Sequence, residues 1–482
     1  MTTSAAPAAA GFDPVEHLDG LLASTGLTAA SAGGEVSFAG ADPIVVSRLR
    51  LGACIGIPVM GAAVAAAALW KLRTGQSQDL KLDLRQAIHG ITPSAFWHPT
   101  LNGEAPPAPL VADNPFLLDS YQTKDGRIVM ASGVYPHQVV KWCRFLDVPP
   151  DRGRVGQAIA RWEAAELEDT ANEAGLPVCI IRSQEDWAAH PQGQWLATQP
   201  VISIHRIGDA APRRLPPAAR PLHGIRVLSF THAVAGPVVG RTLAEQGADV
   251  LCATRRNDYE HDFIYSEANV GSRSGYLDLS TERGQARADE LLSTCNVVVN
   301  NHRHGKLEAL GLGSRDLARR HPGIIAVAVT CYGSGGPWAA RGGFDMNGSA
   351  TSGLMVVEGS PEQPRLPVTG LINDFITGYM GAIGATAAII RQAVEGGSWL
   401  VNVSLTRCAM WYLTLGLVNP VTAGTTREHS LVDPEPYDAP SPLGQVHMLA
   451  PPVRFSRTAP RWPDPPLVPR GSSIPFWSPA ER

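Results

Sequence analysis

Residues 225–253 read IRVLSFTHAVAGPVVGRTLAEQGADVLCA, and this stretch decides the fold. IRVLSF (225–230) is a short, mainly apolar run that reads as a buried strand. A turn of small residues follows, and Gly236-Pro237 opens a helix, where proline costs nothing. DVLCA (249–253) is then a second buried strand. The alternation continues outward with a helix over 282–293, a strand NVVVN (296–300), a helix over 306–320 and a strand IIAVAVT (324–330). Strands alternating with helices predict a parallel, doubly wound α/β sheet. Ligands of such sheets sit at the carboxyl ends of the strands, where a helix N-terminus offers free N–H groups to an anion. The turn is not G-x-G-x-x-G, so a dinucleotide cofactor is poorly supported.

Upstream, YQTKDGRIVMAS (121–132) reads as a hairpin turning at Asp125-Gly126. Amphipathic helices near 136–146 and 162–174 and a strand LPVCIIRS (176–183) complete a small α+β unit. AAPRRLPPAARP (210–221) separates it from the sheet, and APPAPLVADNP (105–115) precedes it. The expected organisation is a flexible tail over 1–40, a helix-and-strand segment over 41–105 and a small α+β domain over 106–210. A Rossmann-like sheet domain follows over 221–415, then a Pro-rich wrapping tail over 416–482. In that tail LVPRGS (467–472) matches a thrombin cleavage site, or is chance in a Pro-rich stretch.

An internal repeat links the two halves. IPVMGAAVAAAALWKLRTGQSQDLKLDLRQA parallels YMGAIGATAAIIRQAVEGGSWLVNVSLTRCA: a Gly/Ala helix, a glycine turn and an alternating strand. Setting Gly75 on Gly396 places Asp374 on Ala53, so the first copy is a degenerate one without the acid. Asp374 stands alone in RLPVTGLINDFITGYMGAIGATAAIIR (365–391), at the mouth of a helix-like run. A carboxylate there is either a helix cap or a reactive group.

Bulk properties exclude several classes. A net charge of −4 gives no field for nucleic acid. Seven scattered cysteines form no metal spacing and no disulfide framework, so no metal and a reducing cytoplasm are expected. MTTSAAPAAAGFDP has no positive n-region and is not expected to be a secretory signal. LGACIGIPVMGAAVAAAALW (51–70) is long enough to span a membrane, yet its small residues and its twin inside an α/β unit favour a buried core helix. Arg255, Arg256 and Arg303 follow strand ends, where they suit phosphates or are solvated surface charges.

Several motifs in register resemble the class III CoA-transferase family, which includes formyl-CoA and carnitine CoA-transferases and 2-methylacyl-CoA racemases. They are PLHGIRVLSFTHAVAGPVVGRTLAEQGADV (221–250), SGYLDLSTERGQ (274–285), VVVNNHRHGKLEALGLG (297–313), YGSGGPWAARGGFD (332–345), SGLMVVEG (352–359) and INDFITGYMGAIGA (372–385). Residues 116–206, ending in SQEDWAAHPQGQW (183–195), resemble the family's small domain, which normally follows the sheet domain.

The resemblance implies a CoA-transferase whose catalytic residue is Asp374, acting on an acyl-CoA and a carboxylic acid through anhydride and aspartyl-CoA thioester intermediates. It implies a homodimer of the interlocked kind, with no nucleic acid, membrane or metal as partner. For coenzyme A it points to Ala233, Val234, Ala235, Arg255, Leu277, Asn301, His302, Arg303 and Arg341. A lysine often found after the LDL strand is Ser280 here. A basic residue expected after NNHRHG falls on Ala309, with Lys306 one turn earlier. The family's racemases carry a histidine where this chain has Phe344, which cannot move a proton, so transfer is favoured. Asp345 is expected to be structural, pairing with backbone or with Arg341. A racemase or isomerase, or a non-catalytic CoA-binding homologue, are the competing readings.

Overall fold

A computed structural model describes residues 11–107 and 113–478. The central element is a seven-stranded sheet. Its strands, numbered here along the chain, are β1 (Ser203–Gly208), β2 (Arg226–Phe230), β3 (Asp249–Thr254), β4 (Arg273–Tyr276), β5 (Val297–Asn300), β6 (Ile325–Thr330) and β7 (Ser398–Ser404). Their spatial order is β4-β3-β2-β5-β6-β7-β1, parallel throughout except for β1, which runs antiparallel to β7. The strand order reverses between β2 and β5, so the crevice beyond their carboxyl ends is the topological switch point.

The expected alternation is present, with one difference. The helix anticipated over 306–320 is broken into a short turn at Glu308–Leu310 and a helix at Ser314–Arg320. Gly311 sits between them at φ 69°, a left-handed conformation that ends a helix.

The Leu51–Thr74 and Asn373–Glu395 helices pack on each other at the centre of the main core, and a Cβ at Gly61 would meet Ile383 at 2.8 Å. The first is long and apolar enough to cross a membrane, but it is almost wholly buried within the protein. Both helices end on a glycine of positive φ, Gly75 at 76° and Gly396 at 73°, as the repeat alignment requires. The strands that follow them part company. Gln78–Asp83 pairs with Gly33–Ala39 and Arg454–Phe455 in a separate small sheet, whereas its counterpart β7 joins the main one.

The N-terminal segment differs from the loose tail expected there. Residues 1–10 lie outside the described residues, but Pro14–Leu22 is a helix whose Leu18 and Leu22 are fully buried against the Leu51–Thr74 helix. Asp13 caps it by accepting from the Val15 N–H at 2.8 Å. The Pro-rich tail contributes strands at Pro436–Ser441, Gly444–Leu449 and Arg454–Phe455, and it is more than the surface wrapping expected, because Val446, Trp462 and Leu467 are buried in the main core.

Residues 116–180 have their own core, with Phe116, Trp142, Leu167 and Ile180 buried between a three-stranded sheet and three helices, whereas Trp187, Leu196 and Ile202 join the main core and Ser203–Gly208, expected in the small domain, is β1 of the main sheet. Inside it Glu168 and Arg182 form a buried ion pair at 2.6 Å.

Candidate active site

Asp374 lies in the first turn of the Asn373–Glu395 helix. The capping role is filled from elsewhere. Asp345, on the Asp345–Thr351 helix, is buried, and its carboxylate accepts the backbone N–H groups of Ile372 (3.1 Å), Asn373 (2.5 Å) and Asp374 (2.8 Å). The Asn373 side-chain amide adds a fourth donor at 3.2 Å. Those are the orphan amides of a helix start, satisfied by a charge that the helix dipole favours. The expectation that Asp345 pairs with backbone holds, and its partners are these amides rather than Arg341.

The Asp374 carboxylate, by contrast, accepts no hydrogen bond from any described residue and is partly exposed. Burial pushes its pKa well above the ordinary aspartate range, and the neighbouring Asp345 charge pushes the same way. Of the two, Asp345 is the carboxylate whose charge is stabilised, because it holds the donors.

The small α+β unit docks onto this arrangement within the same chain. Asn347 donates from its side chain to the Met130 carbonyl at 3.5 Å, and the Arg182 N–H donates to the Ala350 carbonyl at 3.0 Å. Met130, Val134, Tyr135 and Cys179 of the small unit form one apolar cluster with Met346, Ala350 and Met355, against which Phe344 and Leu371 pack. The helix that carries Asp345 is therefore clamped by the unit that precedes the sheet in sequence.

Tyr135 projects from the small unit to the site, with its ring 6.3 Å from that of Phe344 and 5.9 Å from that of His232. Its hydroxyl donates to Glu260 at 3.1 Å. Glu260 also accepts the Ala233 N–H (2.8 Å) and the His261 N–H (3.1 Å), and burial raises its pKa. Tyr135 is pushed up by burial, then by the Glu260 charge, with a smaller contribution from Asp374. Sequence reading missed Tyr135 and Glu260. Neither stands in a local pattern, and only tertiary packing brings them beside the β2 turn.

The expected CoA residues separate into groups. Ala233, Val234 and Ala235 form the turn after β2, with Ala233 in the left-handed region at φ 57°. Asn301, just beyond β5, holds that turn by accepting the His232 N–H (3.1 Å) and donating to the His232 carbonyl (2.7 Å). His302 stacks on His232 at 5.1 Å. Burial, then the His302 charge, pushes His232 down to about 4, so its imidazole is neutral. These residues converge on the switch point.

Arg303 is exposed and donates to the Gly175 carbonyl of the small unit at 2.9 Å. Arg255 and Leu277 lie apart from this group, lining a groove of about 830 Å³ at the carboxyl ends of β3 and β4. Arg255 there is paired with Asp258 at 2.8 Å. For Arg341 the structure gives a different partner than a phosphate. It pairs with Asp169 of the small unit at 2.5 Å, lies 3.9 Å from Glu168 and stacks over Trp338, so it fastens the two units together. Among the described residues no cluster of His, Cys, Asp and Glu is arranged to hold a metal.

The sheet with its switch-point turn defines a doubly wound α/β protein that holds an unpaired carboxylate at a helix mouth. The family model of CoA-transferase family III matches residues 19–211 and 222–443, on either side of the Pro-rich linker, and the chain belongs to that family. It is 28% identical over 337 residues to an acetyl-coenzyme A transferase of Hypoxylon pulicicidum, covering 65% of this chain and 56% of that protein. It is 32% identical over 202 residues to the human succinyl-CoA:glutarate CoA-transferase, covering 39% of this chain and 45% of that one. The chain thus spans about half the length of the curated relatives it matches. A solved structure of a CAIB/BAIF family protein from Brucella suis aligns at 28% identity with a TM-score of 0.37, over 40% of this chain and 55% of that one.

Proposed function

We propose that this chain is an acyl-CoA:carboxylate CoA-transferase with Asp374 as its nucleophile. The observation that carries the reading is the division of labour between two aspartates. Asp345 takes the amides of Ile372, Asn373 and Asp374 at the helix mouth, and Asp374 is left half-desolvated with no donor. A structural carboxylate would be the one that is satisfied, whereas a poorly solvated, unpaired one is primed to attack.

In the reaction, Asp374 attacks the thioester carbonyl of an acyl-CoA, giving a mixed anhydride and releasing CoA thiolate. The thiolate attacks the aspartyl carbonyl, the first acid leaves, and an aspartyl-CoA thioester remains. The incoming carboxylate attacks that thioester, forming a second anhydride and freeing the thiolate again. The thiolate then attacks the acceptor's carbonyl, and Asp374 is regenerated as new acyl-CoA departs. Each step exchanges one activated acyl group for another, so no ATP is consumed.

The turn at Ala233, Val234 and Ala235, with Asn301 and His302, suits the reactive end of CoA, and Arg255, Leu277 and Arg303 suit its phosphates and nucleotide. Arg341 is left out of this assignment because Asp169 already engages it. Racemisation would need a second proton-moving group beside Asp374. Phe344 has none to offer, and Asp345 is fully engaged as a cap. Seven free cysteines suit a reducing cytoplasm, and a homodimer is the assembly we assign.

The test is incubation with acyl-CoA and a labelled free acid. Label entering the acyl-CoA pool, lost in Asp374→Ala, is the expected result, with hydroxylamine trapping an adduct on Asp374. Deuterium exchange at the α-carbon without acyl exchange would establish a racemase instead. CoA binding with neither reaction would establish a non-catalytic homologue.

A further inference from the structure

The C-terminal segment, which in sequence reads only as a wrapping tail, runs along the free edge of β4. The Ser473 N–H donates to the Ser274 carbonyl at 2.7 Å, and the Gly471 N–H to the Ser274 hydroxyl at 2.9 Å. Further on, Arg273 donates to the Phe476 carbonyl at 2.7 Å, and the Trp477 indole to the Leu291 carbonyl at 3.0 Å. The backbone of 474–476 is therefore fixed at both ends.

Two of its apolar side chains stay largely in water. Ile474 is 70% exposed and Phe476 44% exposed, and both face the 830 Å³ groove. Tyr276 on β4 is a third exposed apolar group there. Large apolar side chains held in place but left in water mark a surface kept for a ligand.

The rest of the lining is cationic, with four arginines (255, 256, 283 and 287) against two aspartates (258 and 278). Three of the four are engaged. Arg255 pairs with Asp258, Arg256 lies over Tyr276 at 4.9 Å, and Arg287 stacks on Phe476 at 3.8 Å. Arg283 makes no ion pair, hydrogen bond or ring contact with any described residue. It stands in the first turn of the Glu282–Leu292 helix, three residues beyond Ser280, where a lysine was expected.

We propose that Ile474–Phe476 and Arg283 close the nucleotide end of the CoA site, resting on the CoA-transferase reading above. Tyr276 and Phe476 offer an aromatic lip for the adenine, and Arg283 supplies the cation for the 3′-phosphate that Ser280 cannot. The tail is thus a working part of the site.

The experiment is calorimetric titration of the full chain with CoA, 3′-dephospho-CoA and adenosine 3′,5′-bisphosphate. Arg283→Gln should weaken CoA and the bisphosphate about tenfold while leaving 3′-dephospho-CoA unchanged, the loss of one charge-assisted contact. Phe476→Ala, checked for an unchanged melting temperature, should weaken all three probes. If the parent chain binds CoA and Arg283→Gln keeps its full preference for CoA over 3′-dephospho-CoA, the phosphate assignment is overturned. If Phe476→Ala binds all three as the parent does, the tail's role is overturned. If the parent chain binds none of the probes, the CoA-transferase reading itself fails.

Discussion

Replacing Asp345 with alanine separates capping from chemistry. The substitution leaves the amides of Ile372, Asn373 and Asp374 without an acceptor in a buried setting. Each hydrogen bond to a charged group is worth about 1.5–3 kcal/mol, but the four do not add. Removing the Asp345 charge also ends its desolvation and its repulsion of Asp374, which offsets part of the loss. A net destabilisation of about 3 kcal/mol is expected, within the range for breaking a buried polar network.

Asp42 provides the control. It accepts the N–H groups of Gly52 (2.9 Å) and Ala53 (2.8 Å) at the mouth of the twin helix. Asp42→Ala should cost about 2 kcal/mol, with two amides exposed rather than three, and should leave label exchange per folded molecule intact. Urea unfolding followed by tryptophan fluorescence reads the stability, and the exchange assay reads the chemistry. If Asp345→Ala were as stable as the parent yet lost exchange, Asp345 would be a chemical participant and the division of labour would be wrong.

Asp374→Asn should abolish exchange and stabilise the fold at pH 8 but not at pH 4, by urea midpoint. The folded pKa of Asp374 is raised, so the native state holds its proton longer than the unfolded chain does. Stability therefore falls as pH rises from the unfolded value towards the folded one, and the neutral amide escapes that penalty. Arg182→Met strands Glu168 in the core of the small unit, which should cost about 3–5 kcal/mol and make residues 116–180 protease-sensitive before the sheet. Gly378→Val should cost about 1–3 kcal/mol, because even a Cβ there would meet Val238 at 2.5 Å and the Ala235 carbonyl at 2.9 Å. Thermal unfolding reads that loss.

The sheet was legible because its strands are short apolar runs separated by helices, a pattern that survives without tertiary information. Residues 121–180 were legible for a similar reason, with a glycine turn and amphipathic helices visible locally. What could not be read was whatever depends on two distant segments meeting. Asp345 and Asp374 lie 29 residues apart, and which of them caps the helix is settled only by the approach of the Asp345–Thr351 helix. Only the family resemblance points to Arg341 as a CoA contact, but Asp169, from a unit placed far upstream, pairs with it instead. Glu260 sits in an unremarkable acidic stretch, NDYEHD, until the β2 turn and Tyr135 close around it.

The two helices of the repeat carry equivalent caps but one acid, and burial explains why. Asp42 bonds to the amides of Gly52 and Ala53 as Asp345 bonds to those of Asn373 and Asp374, matching the offset that the glycine turns set. Ala53 is fully buried, whereas Asp374 is partly exposed. A carboxylate at position 53 would face the Asp42 charge with neither water nor a donor. Ala53→Asp should therefore lose more than about 3 kcal/mol at pH 8, with a smaller loss at pH 4, where the new carboxyl can hold its proton. The variant should gain no second hydroxylamine-sensitive adduct. A folded Ala53→Asp protein that trapped two adducts per chain would show instead that the first helix mouth is an accessible site, and that burial is not what silenced it.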